Sequence, residues 1–216
     1  MRRIKDSYLQ TLQSIITLSG KDVIEIGCGN GARTADIAAL CAHVTAIDPD
    51  AQLITQAKSG GCAPNVTFGI GSADALPVIE NRFDIAFFTL SFHHVPTYRM
   101  RASIEEAVRV LRYDGAIVFF EPAFDGTFFE AEVAFDACDG DERKGKAAAY
   151  AAMLSHHALV EIAERYDETV FAFDSDEDFI ASMRPKKGTR EEIRAFLERN
   201  GYTLRAQRRI NVFRTR

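Results

Sequence analysis

Apolar residues fall along this chain in two alternating rhythms. Short, nearly unbroken apolar runs occupy 22–27 (DVIEIG), 43–48 (HVTAID), 65–71 (NVTFGIG), 83–90 (FDIAFFTL) and 116–121 (AIVFFE). Between them, ARTADIAALCA (32–42), AQLITQAKSG (51–60) and MRASIEEAVRVLR (100–112) carry apolar positions three and four residues apart. The first rhythm belongs to strands covered on both faces, and the second to amphipathic helices. Strand and helix in turn predict a mostly parallel sheet wrapped on both sides, a doubly wound α/β domain. Such sheets bind ligands at the carboxyl ends of their strands, beside the switch in strand order.

The pattern changes toward both ends. IKDSYLQTLQSIITL (4–18) has helical spacing, and Ser19-Gly20 stops it. After residue 121 the alternation gives way to an excursion over 122–187, read as acidic and mostly helical: FFEAEVAFDAC (128–138), a long helix over 144–166, then ETVFAFDSDEDFIASM (168–183). Lying after the fifth strand, it is expected to cover the ligand end of the sheet as a lid inserted in a single domain spanning 1–216. Thr189 and Glu192 form a capping box for a helix ending near Gly201. TLRAQRRI and NVFRTR then read as an antiparallel hairpin on the sheet's edge with Asn211 near its turn, which brings the sheet to seven strands.

Composition narrows the classes. At 216 residues and 47% hydrophobic, the chain buries one sizeable core. No apolar run approaches the roughly 20 residues of a membrane span, and MRRIKDSYLQ lacks the apolar core of a secretion signal, so a cytoplasmic location is expected. Cys28, Cys41, Cys62 and Cys138 form no CxxC pair and read as reduced thiols. No metal is expected, because His, Asp and Glu do not recur at ligand spacing. Net charge is -5, but 122–187 holds fifteen acidic and seven basic residues while 188–216 holds three acidic and eight basic. The basic end suits the solvent face of a terminal strand better than a nucleic-acid surface.

The segment VIEIGCGNG (23–31) carries the most chemistry. Glycines let the backbone approach a ligand and adopt positive φ, and a helix start follows. Glu25 stands two residues before the first glycine, where its charge repels a pyrophosphate and attracts an ammonium-bearing ligand. Asp48 ends the next strand, about 20 residues further on, where a carboxylate accepts both hydroxyls of a ribose.

Taken in order, VIEIGCGNG, VTAIDPD, GSADALP, FDIAFFTLSFHHV and RVLRYDGAIVFFEP resemble the motif set of class I S-adenosylmethionine-dependent methyltransferases, especially those acting on small molecules. The resemblance covers about 20–121 and implies a Rossmann-like fold. It implies that Glu25, Gly27, Cys28, Gly29 and Gly31 hold the methionine part of S-adenosylmethionine. Asp48 then takes the ribose, Pro49 lies against the adenine, and Thr89 belongs to the same cofactor site. Either Ser72 or Asp74 reads the adenine amino group, with the N–H of Ala73 or Ala75 on a ring nitrogen. The product is S-adenosylhomocysteine.

Methyl transfer is an in-line displacement, served chiefly by holding the nucleophile at attack distance in a dry pocket. His93 and His94 follow the fourth strand, where an acceptor approaches, and an imidazole there can take a proton. Glu121, ending the fifth, is the other candidate base. His156 and His157 read as histidines of the long helix. Phe124, Phe128, Phe129, Phe135, Tyr150, Met153 and Leu154 wall an apolar acceptor cavity, form a homodimer face, or simply pack a helical subdomain. The resulting expectation is a small-molecule methyltransferase with no membrane and no nucleic-acid partner. A tRNA or protein methyltransferase, or a non-catalytic module binding S-adenosylmethionine, are the alternatives.

Overall fold

The computed structural model describes residues 1–61 and 63–216, so the reading of Cys62 lies outside the described residues. In chain order the elements are β1 (Arg2–Asp6), α1 (Tyr8–Gln13), β2 (Asp22–Ile26), α2 (Thr34–Ala38), β3 (His43–Asp48), α3 (Ala51–Ser59), β4 (Val66–Ile70) and β5 (Phe83–Thr89). A 3-10 turn, Phe92–His94, leads to α4 (Thr97–Val110), β6 (Leu111–Pro122), α5 (Thr127–Phe135) and α6 (Arg143–Ser155). The chain continues through β7 (Leu159–Ala172), α7 (Asp176–Met183), α8 (Arg190–Arg199) and β8 (Thr203–Thr215).

One sheet of eight strands runs in the order β1-β7-β8-β6-β5-β2-β3-β4. From β6 to β4 every neighbour is parallel, whereas β6/β8, β8/β7 and β7/β1 are antiparallel. The chain winds outward from β2 in both directions, first through β3 and β4, then through β5 and β6. The switch therefore falls between β2 and β5, and their carboxyl ends open a cleft.

Alternating residues feed a core on each face. Phe87, Val118 and Phe120 pack with Tyr8, Leu12 and Ile37 on one side, while Phe88, Phe119 and Phe213 pack with Ile104 and Met153 on the other. A third core joins α5, α7 and α8 to the far ends of β7 and β8 through Phe135, Phe179, Phe196 and Leu204. The capping box of α8 forms as expected, with Thr189 and Glu192 exchanging side-chain to backbone bonds.

Four expectations are corrected. The helix expected over 4–18 is reduced to α1, because residues 2–6 instead close the exposed edge of β7, Arg2 opposite Ala172 and Asp6 opposite Thr169. The long helix stops at Ser155, and residues 159–172 form β7, so 122–187 is not a mostly helical insertion but supplies a strand of the sheet itself. The closing edge hairpin is one continuous strand, β8, held inside the sheet between β6 and β7 and paired with β7 over its whole length, with Asn211 fully buried rather than at a turn and Arg208 and Arg209 buried rather than facing solvent. Eight strands therefore replace seven.

Candidate active site

The cleft, about 530 Å³, is floored by the turn after β2. Gly27, Gly29 and Gly31 all hold positive φ there, and the turn's backbone donors are already committed. The N–H groups of Gly27 and Cys28 both reach the Ile47 carbonyl, at 2.7 and 3.1 Å, and that of Gly31 reaches Cys28 O. The Gly29 N–H donates to Asp48 Oδ2 at 2.8 Å, and Asp48 Oδ1 accepts from Asp50 N. A phosphate-binding turn offers such donors to its ligand; this one spends them on β3.

What the floor offers is negative charge. Glu25, 1% exposed, and Asp48, 7% exposed, both line the cleft. Glu25 Oε2 accepts the Thr34 hydroxyl at 2.6 Å. Burial pushes the Glu25 carboxyl up; the Thr34 hydroxyl and the Arg33 guanidinium pull it back, and Asp48 opposes them. The buried Thr89 hydroxyl beside it adds to that downward pull on Glu25.

The opposite wall is the segment after β4. Gly71, Ser72, Ala73 and Asp74 line it. Asp74 accepts the Ser72 hydroxyl and pairs with Arg99 at 3.4 Å, and these contacts hold its carboxyl below the ordinary range. The third wall, after β5, contains Leu90 at φ 54, an uncommon conformation for a bulky residue and one that collects at functional sites. Ser91 Oγ donates to Ile26 O at 2.6 Å, tying this wall to the glycine turn.

The two histidines separate. His94 lines the cleft and is half exposed, with Nδ1 3.2 Å from Glu142 Oε1. His93 is turned inward, Nδ1 on Glu121 and Nε2 3.5 Å from Glu142 Oε2. Glu121, 2% exposed, also accepts from the backbone N–H of Ser91, Phe92 and His93. It sits behind the wall and fixes the turn that presents His94. Burial works against the charged form of His93, but Glu121 and then Glu142 outweigh it and raise the imidazole to about 9. His93, His94 and Glu142 place donor atoms within 4.8 Å of one another, spacing a divalent ion can use. In the structure these groups pair with one another, and the Lys146 ammonium stands 3.7 Å from Glu142.

Of the residues singled out from sequence, Glu25, Gly27, Cys28, Gly29, Asp48, Pro49, Ser72, Ala73, Asp74, Thr89 and His94 line the cleft, while Gly31, His93 and Glu121 stand behind it. A Cβ on Gly31 points instead at Phe68, 3.0 Å away. The seven residues expected to wall an acceptor cavity do not line the cleft. Phe128 and Phe135 belong to the third core, Met153 to the sheet core, and Tyr150 bonds Glu164. Sequence reading missed Arg33, Leu90, Ser91 and Arg99 as lining residues; only the positions of Leu90 and Ser91, just past the end of a buried strand, signalled them.

Residues 23–115 match a family described as a methyltransferase domain. An uncharacterised methyltransferase of Anoxybacillus flavithermus is 30% identical over 123 residues, 57% of each chain. The ubiquinone biosynthesis O-methyltransferase of Paraburkholderia xenovorans is 36% identical over 106 residues, 48% of this chain and 44% of that one. The chain thus spans about half the length of the curated relatives it matches. Among solved structures, the N-methyltransferase NodS of Bradyrhizobium japonicum, in complex with S-adenosylhomocysteine, has a TM-score of 0.58 at 16% identity, covering 96% of this chain and 85% of that one. YcgJ of Bacillus subtilis gives 0.60 at 17% identity, over 97% of both chains. These likenesses show the fold.

Proposed function

We propose that the chain, whose residues 23–115 match a methyltransferase domain, is a class I S-adenosylmethionine-dependent methyltransferase that transfers a methyl group from S-adenosylmethionine to an oxygen, nitrogen or carbon nucleophile of a small molecule. One observation carries the reading: the cleft presents two buried carboxylates, Glu25 and Asp48, on a glycine turn whose donors at 27–29 are already used. That arrangement repels a pyrophosphate and suits a ligand with a cationic amino-acid end and a ribose diol.

In this reading Glu25 and the 27–29 turn face the methionine part, Asp48 accepts from the ribose hydroxyls, and Pro49 and Leu53 flank the base. Asp74, fixed by Ser72 and Arg99, accepts from the adenine amino group. The bound cofactor supplies an electrophilic methyl group on a sulfonium. The chain's own part is to orient the acceptor and exclude water. His94 accepts the acceptor's proton at Nε2, while Glu142 at Nδ1 sets its tautomer. Glu121 and His93 are positioning residues, holding the turn that carries His94. A relative named for ubiquinone biosynthesis supports a small-molecule acceptor.

Calorimetric titration of S-adenosylmethionine and, separately, NAD tests the reading. Saturable binding of the first alone is expected. Asp48→Ala should weaken it about 100-fold, the loss of two hydrogen bonds to a charged acceptor at roughly 1.5 kcal/mol each. Well-folded protein that does not bind S-adenosylmethionine would overturn it.

A further inference from the structure

Beyond the cleft, where α5 and α6 cross the ends of β6 and β8, several ionisable side chains are buried together: Glu121, Glu132, Lys146, His93 and Arg208. All but one have an opposite charge within 4 Å. Lys146 stands 3.7 Å from both Glu132 and Glu142, and His93 lies between Glu121 and Glu142. The exception is Arg208. It is 8% exposed and, among the described residues, has no ion pair; its one hydrogen bond runs from Nε to Thr169 Oγ1 at 3.5 Å.

A guanidinium has five donors and is costly to bury unsatisfied. The carboxylates nearest to Arg208 are taken. Asp6 holds Arg33, Arg3 and the Thr169 hydroxyl; Glu121 holds the His93 ring and three N–H groups; Glu132 faces Lys146. Burial and the neighbouring Arg33 depress Arg208 to about 10, and burial raises Glu132, so neither is at ease. Among the described residues the side-chain atoms sealed off without a hydrogen bond of ordinary geometry are Tyr8 Oη, Thr89 Oγ1 and His156 Nε2. The terminal nitrogens of Arg208 are not among them, so they are not fully sealed.

Position gives this cation a use. Arg208 is opposite Pro122, the last residue of β6, at the ligand end of the sheet. It shares a face with Ile210 and Phe120, on which Tyr8 stacks at 4.2 Å. Arg33, a cleft residue, lies 5.0 and 5.2 Å above the Tyr8 and Phe120 rings and acts on Arg208 electrostatically. Arg208 therefore stands past Arg33, on the side of the cleft away from the 71–74 segment.

We propose that the methyl acceptor carries a carboxylate and that the Arg208 guanidinium receives it. This rests on the methyltransferase reading above and specifies its acceptor. A planar carboxylate matches the guanidinium fork. Asp6, Glu121 and Glu132 around it would repel a phosphate dianion more strongly than a monoanion, which favours the carboxylate.

The test compares wild type with Arg208→Met, which keeps the stem and removes the charge, and with Arg208→Lys should the first fail to fold. Both are saturated with S-adenosylhomocysteine and titrated with benzoate, phenylacetate and butyrate, their amides, and inorganic phosphate, followed by thermal shift. The expected result is saturable stabilisation of wild type by at least one carboxylate, absent with its amide and weakened at least tenfold in the variants, with S-adenosylhomocysteine affinity unchanged. Ligand-free Arg208→Met should melt no lower than wild type, since an unpaired buried charge has been removed. No carboxylate binding, equal binding of the amides, tighter binding of phosphate, or undiminished binding by the variants would each overturn the proposal. Failure of wild type to bind S-adenosylhomocysteine would instead sink the methyltransferase reading.

Discussion

At the scale of single residues, the glycine turn shows how one residue type meets different demands within a few positions. Gly27 and Gly29 both need positive φ, but their surroundings differ. A Cβ on Gly27 would meet the Cβ of Ser91 at 2.4 Å, whereas one on Gly29 meets nothing within 4 Å and stands at the cleft. Gly27 is thus required by the fold, because Ser91 ties the ends of β2 and β5 together there. At Gly29 no protein atom stands in the way of a side chain, so a substitution there intrudes on the cleft instead. Gly27→Ala should lose roughly 3 kcal/mol or more in urea denaturation, from strain and overpacking together. Gly29→Ala should lose only the left-handed penalty of roughly 1–2 kcal/mol, yet weaken S-adenosylmethionine binding at least tenfold. Equal stability losses, or intact binding by Gly29→Ala, would contradict this division.

At the scale of elements, legibility divides along the sheet. The parallel half, β2 to β6, was readable because strands covered on both faces must be apolar throughout, as in FDIAFFTL. The antiparallel half was not. β7 exposes Val160, Ile162 and Tyr166 and buries little before Val170, so its sequence carries no period-two signal; pairing with β8 and β1 decides its conformation. Asn211 was misread for a related reason. Asn favours turns when its amide must bond the local backbone, but here Nδ2 donates to Glu161 and Glu164, at 2.7 and 2.8 Å, and Oδ1 accepts from Arg209 Nε. Arg209 in turn lies 3.6 Å over Tyr150, whose hydroxyl bonds Glu164. The network joins α6 to β7 and β8. The candidate site followed the same division: Glu25, Asp48 and the 71–74 wall came from motifs on legible strands, while the placing of Arg33 over Tyr8 and Phe120 and the burial of Arg208 depend on contacts that no local pattern records. Asn211→Leu, by stranding Glu164 and Arg209, should cost about 3 kcal/mol in urea unfolding. A loss below 1 kcal/mol would show that the network is not what fixes this half.

At the scale of the whole molecule, the uneven charge of the sequence turns out to be largely internal. Carboxylates of 122–187 meet arginines of 188–216 in Glu168–Arg205, Glu177–Arg190 and Asp176–Arg194, each at 2.7 or 2.8 Å. Each of these pairs keeps its arginine at the surface, where an ion pair contributes little, so pH sensitivity should concentrate in the buried cluster under α6. There His93 faces Glu121 from β6, and Glu142 from the start of α6, with Lys146 and His94 at its margin. Its folded pKa, raised to about 9, exceeds the ordinary value near 6.5. The folded state therefore holds this proton more tightly, and the resulting stability is complete below about pH 6.5 and lost as pH rises through 9. At 1.36 kcal/mol per unit the swing amounts to about 3 kcal/mol. Glu142 is shifted downward by the two imidazoles, against its burial, so its contribution is present above about pH 4.5 and fades in acid. Stability should then peak between about pH 5 and 6.5. Urea midpoints measured from pH 5 to 9.5 should fall along the alkaline limb in wild type. In His93→Asn they should start lower at pH 6 and run flat to pH 9. If that variant keeps the wild-type slope, the alkaline loss arises elsewhere, and the clamp of α6 over the His94 turn is not electrostatic in origin.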